Sequence, residues 1–102
     1  MTVKLLVLYT QPTDPEAFDR HYLSMHMPLV HAMPGLVRAE AGKFAAGPAG
    51  VPQPYYRGAE LWFADQEALN AAFASAEGKA AAADYGQIAP EGSIMLVQEL
   101  DD

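Results

Sequence analysis

Hydrophobic residues along the chain form four short runs typical of β-strands and two longer stretches with helical spacing. The first run, residues 2–9, is apolar at almost consecutive positions, so a strand here needs cover on both faces. The other predicted strands are residues 36–44, 55–63 and 93–100, and the last is again apolar at consecutive positions. Turns containing proline or glycine separate these runs from their neighbours.

The first helical stretch lies between residues 13 and 35, and its apolar residues recur at steps of three or four. They form one stripe on a helix and are Phe18, Tyr22, Met25, Leu29 and Met33. A capping box, Thr13 with Glu16, predicts that the helix begins there. Pro28 predicts a kink or a restart, because its ring clashes with the carbonyl group four residues earlier. The Pro34-Gly35 pair ends the helix.

Asp65 is a good N-cap residue for the second helix. Gly78 is predicted to break this helix, and residues 79–85 add a further turn or two. The order of elements is β-α-β-β-α-β, which is the ferredoxin-like arrangement. We therefore predict a single α+β domain over residues 1–102, with a four-stranded antiparallel sheet and two helices on one face. Residues 45–54, rich in proline and glycine, are predicted to form a loop and are a candidate lid.

Two helices can cover only one face of a four-stranded sheet. Because the first and last strands are apolar on both faces, the other face would expose roughly several hundred Å² of apolar surface, which monomers avoid. We therefore predict a homodimer that packs sheet to sheet through an isologous interface, forming a dimeric α+β barrel. The alternatives are a swapped or edge-paired dimer, or apolar residues that are simply tolerated on an exposed face.

Charge and composition exclude several classes of protein. The formal net charge is −7, with 13 acidic and 6 basic residues, and the basic residues are scattered singly. A nucleic-acid partner is therefore not predicted, since phosphate binding needs clustered basic residues. The absence of cysteine excludes disulfides and thiolate chemistry. No apolar run is long enough for a membrane span, so a cytoplasmic protein without a membrane partner is expected.

His26 is the sharpest candidate for chemistry, because it lies at the edge of an otherwise apolar helical stripe. An imidazole with an ordinary pKa near ~6.5 both accepts and donates protons at neutral pH. The alternative is a structural histidine that bonds a carbonyl group freed by Pro28. His21 and His31 flank His26 at intervals of five residues, about 140° around an α-helix, so no two histidines share a face. Neither a metal site nor a cofactor is predicted.

Several segments together resemble the EthD family of small dimeric α+β-barrel proteins. The segments are Phe18-Asp19-Arg20-His21-Tyr22, His26-Met27-Pro28-Leu29, Met33-Pro34-Gly35-Leu36, Leu61-Trp62-Phe63 and Ala83-Asp84-Tyr85. The resemblance implies a ligand pocket between the helices and the sheet, and its His-x-Pro match places the family's functional histidine at His26. One departure is His21, in a region where members more often carry two aromatic residues. Similar barrels include methylmuconolactone isomerase, polyketide cyclases, cofactor-free monooxygenases and haem-handling proteins, and fold alone does not choose among them.

We therefore expect a cofactor-independent enzyme of the isomerase, cyclase or monooxygenase type, with His26 as general acid or base. Its partner would be a small hydrophobic or aromatic molecule, such as a lactone, polyketide or oxidised aromatic of catabolic or secondary metabolism. This ligand would lie in a hollow under the first helix beside His26. The second hypothesis is a non-catalytic ligand-binding or accessory protein of a degradation pathway, and the third is a haem-handling barrel.

Aromatic side chains are the candidates for ligand binding. They are Tyr9, Tyr22, Trp62 and Tyr85. Packing in the core is the alternative, and it is favoured for Tyr22 and for Phe63. Arg57 and Glu60 in the third strand are candidates for an anion anchor and a second proton-transfer group, but we expect both to face solvent or a dimer contact.

Overall fold

Four antiparallel strands form one sheet in the order β2-β3-β1-β4. In this computed structural model, which describes residues 1–101, the strands are β1 (Val3–Tyr9), β2 (Leu36–Lys43), β3 (Arg57–Phe63) and β4 (Ile94–Glu99). The apolar strand β1 is central, because β3 pairs with one of its edges and β4 with the other. β1 therefore has a hydrogen-bonded neighbour at each of its edges.

Two helical segments pack on the same face of the sheet. The first consists of α1 (Pro15–His21), a π-helical turn (Tyr22–His26) and α2 (Met27–His31), and it runs without a non-helical residue between these parts. The second consists of α3 (Gln66–Ala74) and α4 (Ala76–Ile88). The predicted ferredoxin-like α+β fold is confirmed.

Two of the predicted helix boundaries, at Thr13 and at Gly78, need a correction of one and of three residues. Asp14, not Thr13, caps α1: its carboxylate accepts a hydrogen bond from the amide of Ala17 at 3.2 Å. The second helical segment is interrupted at Ser75, whose hydroxyl caps α4, and not at Gly78. Gly78 lies inside α4 and is buried. A Cβ atom there would come within 2.0 Å of a backbone carbonyl oxygen of α3. Its lack of a side chain serves close packing between the helices.

The π turn also changes which residues of the first segment face the sheet. A new α-helical segment begins at Met27 with Pro28 in its first turn, which agrees with the predicted restart. In the turn just before it the backbone widens, and the amide of Met27 donates to the carbonyl of Tyr22, five residues earlier. The extra residue shifts the buried stripe by one position. Met25, predicted to face the core, is 55% exposed, whereas His26 and Val30 are buried.

The two faces of the sheet have different surroundings. Buried residues of β1 alternate with partly exposed ones, and the buried set faces the helices. The other face carries Leu6, Leu8 and, in β4, Leu96, which is 50% exposed. Among the elements described, no helix lies over this face. No helix among residues 1–101 is long and apolar enough to cross a membrane.

Candidate functional site

His26 lies in the π turn and points into the space between the first helical segment and the sheet. Its exposed fraction is 5%. The ring stacks on Tyr22 with centroids 5.3 Å apart, its Nε2 atom lies 3.4 Å from the hydroxyl of Tyr9, and its Nδ1 atom lies 2.8 Å from Oδ2 of Asp84. Both ring nitrogens therefore face polar groups from other elements, β1 on one side and α4 on the other.

Asp84 joins two histidines. Its Oδ2 atom faces His26, and its Oδ1 atom lies 2.8 Å from Nε2 of His21. Burial acts to raise the pKa of Asp84, but the hydrogen bonds from His21 and His26 outweigh it and hold the pKa below its ordinary value. Asp84 is therefore an ionised carboxylate at neutral pH and accepts hydrogen bonds from both rings.

The prediction that no two histidines share a face is wrong for His21 and His26. On an α-helix, residues five apart lie about 140° apart. The π turn between them closes hydrogen bonds over five residues rather than four, which brings such residues onto one face. His31 lies beyond the turn and is exposed. Among the residues described, no group of three or more side chains is arranged to hold a metal ion.

The protonation states follow from these partners. Burial, followed by the neighbouring Tyr22, Tyr85 and Asp84, raises the pKa of Tyr9 far above its ordinary value, so its hydroxyl stays protonated. Ionised Asp84 favours the proton of neutral His26 on Nδ1, which leaves Nε2 as the acceptor facing the Tyr9 hydroxyl. A tyrosine, a histidine and an aspartate thus form a continuous polar chain in an apolar setting, in which Nε2 of His26 accepts from the Tyr9 hydroxyl.

The prediction that Arg57 faces solvent or a dimer contact is wrong. It is 5% exposed, and its guanidinium group lies 4.8 Å from the ring centre of Tyr22. Its charge is paired with Asp19, whose carboxylate is 3.2 Å away and also accepts a hydrogen bond from Tyr56 at 2.6 Å. Arg57 is one of the alternating residues of β3 that face the helices. Asp19 of α1 supplies the carboxylate that pairs with it.

Tyr22 is fully buried, and its hydroxyl finds no hydrogen-bond partner of normal geometry among residues 1–101. Burial raises its pKa to about 12, against the opposing effects of Arg57 and of the nearby Tyr9 hydroxyl. A buried hydroxyl without a partner costs free energy, about 1–3 kcal/mol. The Tyr22 side chain also lines the small cavity beside His26.

The cavity beside His26 is narrower than the predicted hollow. It measures about 20 Å³, which is room for about one water molecule. Its lining is almost wholly apolar and includes Tyr9, Tyr22, Tyr85 and Met95. Met95 faces this cavity from β4 and is 39% exposed, so the lining reaches solvent at this edge of the sheet. In this arrangement of side chains, the space beside His26 is therefore too small to hold the predicted ligand. Three of the four predicted aromatic residues, Tyr9, Tyr22 and Tyr85, do line it.

Trp62 is the fourth predicted aromatic residue, and the structure places it on the opposite face of the sheet. Its neighbours in β3, Leu61 and Phe63, face the helices, so the alternation of the strand turns Trp62 away from His26. Its ring lies between two cations, with Lys4 at 5.3 Å and Arg38 at 4.7 Å from the ring centre. Trp62 therefore does not belong to the site around His26.

Glu60 lies on the same open face as Trp62. Its carboxylate pairs with Lys4 at 3.2 Å and is remote from the polar chain of His26. Sequence reasoning did not assign roles to His21 and Asp84. Asp84 lies in a segment that carried the family resemblance, but its carboxylate contacts residues 58 and 63 positions away in the sequence, and no local pattern reveals that.

Fold and site together define the class: a ferredoxin-like α+β protein with a Tyr-His-Asp chain beneath its first helical segment. The sequence profile described as the EthD domain matches residues 10–89, and the chain belongs to the EthD family. A relative from Rhodococcus erythropolis, described as an uncharacterized 11.0 kDa protein in the thcB-thcC intergenic region, is 42% identical over 93 residues, covering 91% of this chain and 89% of the relative.

Solved structures agree with this assignment. The crystal structure of an EthD family protein from Bacillus halodurans superposes with a TM-score of 0.91 at 35% identity, covering 98% of this chain and 99% of the other. SnoaB, a cofactor-independent oxygenase from Streptomyces nogalater, gives a TM-score of 0.72 at 15% identity over 99% of this chain and 94% of the other, which shows a shared fold alone. Other structures with this fold are described as dimeric ferredoxin-like proteins.

Proposed function

We propose that this chain is a cofactor-independent enzyme that moves a proton on a small, largely apolar molecule, with His26 as the general acid and base. The observation that carries the proposal is the hydrogen-bonded chain from Tyr9 through His26 to Asp84. An ionised carboxylate behind an imidazole fixes its tautomer and stabilises the imidazolium that forms when Nε2 takes a proton. This pairing is found where imidazole serves as a base.

In the proposed reaction, Nε2 of His26 removes a proton from a carbon or hydroxyl group next to a carbonyl group of the substrate. Asp84 stabilises the resulting imidazolium through Nδ1, and the same Nε2–H returns the proton at another position or to the product. Tyr9 and Tyr22 carry neutral hydroxyls at this site. Either hydroxyl can donate to the substrate oxygen on which negative charge develops.

The lining of the cavity supports the substrate class. Apart from the polar chain, its walls are aliphatic and aromatic, which suits a lactone, a polyketide or an oxidised aromatic with one oxygen near Tyr22. Because the space holds only about one water molecule, a substrate must displace side chains. We propose that it enters at the edge of β4, where Tyr85 and the exposed Met95 can move aside.

We also propose that the protein works as a homodimer joined through the open faces of the two sheets. Support comes from the apolar residues Leu6, Leu8 and Leu96 on that face and from the dimeric proteins that share the fold. The His26 site lies on the other side of the sheet, so each protomer would keep its own site.

The test is a turnover screen with a matched pair of histidine variants. Wild-type protein is incubated with a panel of lactones, aromatic polyketides and hydroquinones, and products are detected by mass spectrometry. His26→Gln should lower any turnover found by about 10²–10⁴-fold. His31→Gln, which changes an exposed histidine of the same segment, should leave it unchanged.

Equal turnover in wild-type and His26→Gln proteins would overturn the assignment of His26. A second outcome separates enzyme from accessory protein: compounds that raise the melting temperature but return unaltered from the incubation support a ligand-binding role instead. Circular dichroism of both variants verifies that the fold is retained.

A further inference from the structure

His21 contacts Asp84 from the side that faces away from the cavity. Its side chain is 37% exposed, against 6% for His26. It lines a surface groove between the start of α1 and the end of α4, together with Asp14, Ile88 and Glu91. His21 therefore reaches solvent, and it does not line the space where a substrate would meet Nε2 of His26.

We infer that His21 is a positioning residue, which holds Asp84 so that His26 keeps its proton on Nδ1 and its basic nitrogen toward the cavity. The inference rests on the proposed function of His26 and adds a residue that does not touch the substrate. The geometry behind it is one carboxylate shared by two imidazoles, each at 2.8 Å and each on a different oxygen.

The physical reason is the freedom of a carboxylate held at one point. Asp84 lies at an intermediate depth, and a single hydrogen bond from His26 would leave its Oδ1 atom to rotate toward solvent or toward another donor. A second donor at Oδ1 fixes the plane of the group, as outer partners do for histidines whose tautomer matters. The fixed Oδ2 atom then accepts from Nδ1 and disfavours the tautomer that carries its proton on Nε2.

Other titratable groups around His26 do not replace this arrangement. Tyr9 faces Nε2, Tyr22 stacks on the ring, and Tyr85 packs against Tyr9. Arg57 lies behind Tyr22 and is paired with Asp19. Asp84 is thus the carboxylate that faces Nδ1 within residues 1–101, and His21 is the partner seen on its other oxygen.

The π turn is what makes this contact possible. With α-helical geometry, residues 21 and 26 would point in directions about 140° apart and could not meet one carboxylate. Widening the helix by one residue between them costs regular hydrogen bonding but aligns both rings on α4. π-helical insertions are frequent at functional sites, and here the insertion has a definite consequence for the chemistry.

The experiment reads the tautomer of His26 directly, without a substrate. Long-range ¹H–¹⁵N NMR on protein with labelled imidazoles distinguishes the two neutral forms at a pH where the ring nitrogens report no charge. Three variants are compared with wild type: His21→Leu, which removes the donor, His21→Gln, whose side-chain amide keeps an N–H at a similar reach, and Asp84→Asn.

We expect wild-type and His21→Gln proteins to show His26 with its proton on Nδ1, and His21→Leu and Asp84→Asn to show a mixture or the other tautomer. If Asp84→Asn changes the tautomer and His21→Leu does not, the inference about His21 is wrong while the proposed role of Asp84 and His26 stands. If neither substitution changes it, the hydrogen-bond chain does not set the tautomer, and both the inference about His21 and the role given to Asp84 are wrong, while turnover of His26→Gln decides the role of His26.

Once a substrate is known, turnover supplies a second readout. His21→Leu should lower kcat by about 10-fold or more with little change in KM, since a positioning residue acts on the catalytic group and not on binding. His21→Gln should restore most of the loss. A His21→Leu protein with wild-type kcat and an unchanged pH profile would contradict the inference.

Discussion

The two faces of the sheet are built from the same strands, yet their surroundings differ: one is buried under the helices and the other is open. The helix-facing side buries Val3, Leu5 and Val7 together with the polar chain of His26, and every charged group there has a partner. The open side carries the half-buried Leu6 and Leu8 and the exposed Leu96, together with Trp62 and its two flanking cations. Strand alternation alone separates the face beside His26 from the face proposed as the dimer contact. Four experiments test this division.

The largest effect is expected from the buried aromatic core. Phe63 has no exposed surface, so Phe63→Ala should lower the free energy of unfolding by about 3–5 kcal/mol through lost burial and the cavity left behind. Urea unfolding followed by circular dichroism measures this change. Val37→Ala, at a residue 69% exposed in β2, is the control and should change the free energy by no more than about 0.5 kcal/mol. If Phe63→Ala and Val37→Ala lower the free energy of unfolding by similar amounts, the stated difference between buried and exposed positions of the sheet is wrong.

Association should respond to a charge placed on the open face. Leu96→Arg introduces a cation into the proposed dimer contact and should raise the dimer dissociation constant about 30-fold or more, equivalent to about 2 kcal/mol. Sedimentation velocity over a range of concentrations measures it. Leu23→Arg, at an exposed residue of the first helical segment, should leave assembly unchanged. A wild-type protein that sediments as a monomer would refute the role given to this face.

A smaller effect should appear at Tyr22, and its sign is informative. Its hydroxyl is buried and has no hydrogen-bond partner of normal geometry within residues 1–101, so Tyr22→Phe should raise the free energy of unfolding by about 1–3 kcal/mol. Tyr9→Phe removes a hydroxyl that faces His26 and should give no such gain. If Tyr22→Phe instead destabilises the protein, the hydroxyl has a partner in solution, such as a water in the adjoining cavity, and is less available to a substrate.

The smallest effect is expected in how the free energy of unfolding changes at acidic pH. Although burial opposes it, hydrogen bonds to Tyr56 and Arg57 lower the pKa of Asp19, as those from the two histidines lower the pKa of Asp84. Because unfolded carboxyl groups titrate near ~3.9, the unfolded chain binds these protons first. The stability that the two carboxylates contribute is therefore fully present above about pH 5 and lost as pH falls through their folded pKa values.

The measurement is urea unfolding at several pH values between about 5 and 3. Asp19→Asn should flatten the decline relative to wild type, because one of the groups that links protons to unfolding is gone. Glu67→Gln, at an exposed position in α3, should leave the slope as it is. An equally steep decline in Asp19→Asn would show that its pairing with Arg57 contributes nothing to stability.

The sequence was sufficient for the fold and insufficient for the site, and particular residues show why. The short apolar run of β1 and the order of elements predicted the sheet, and helical spacing around Tyr22 predicted the helix over it. His26 was found from its place beside the stripe, but Met25 was misplaced by the same reasoning. The error is one residue, the size of the π insertion, and sequence spacing assumes a regular helix.

By itself, then, the sequence determined which residues form strands and helices and which family the chain resembles, because periods of two and 3.6 residues are local properties. The tertiary structure alone decided that Asp84 reaches both His21 and His26, that Arg57 is buried against Tyr22, and that the cavity is nearly closed. These features depend on contacts between residues tens of positions apart and on the widened turn. Packing sets both, and the linear pattern of apolar and polar residues does not encode them.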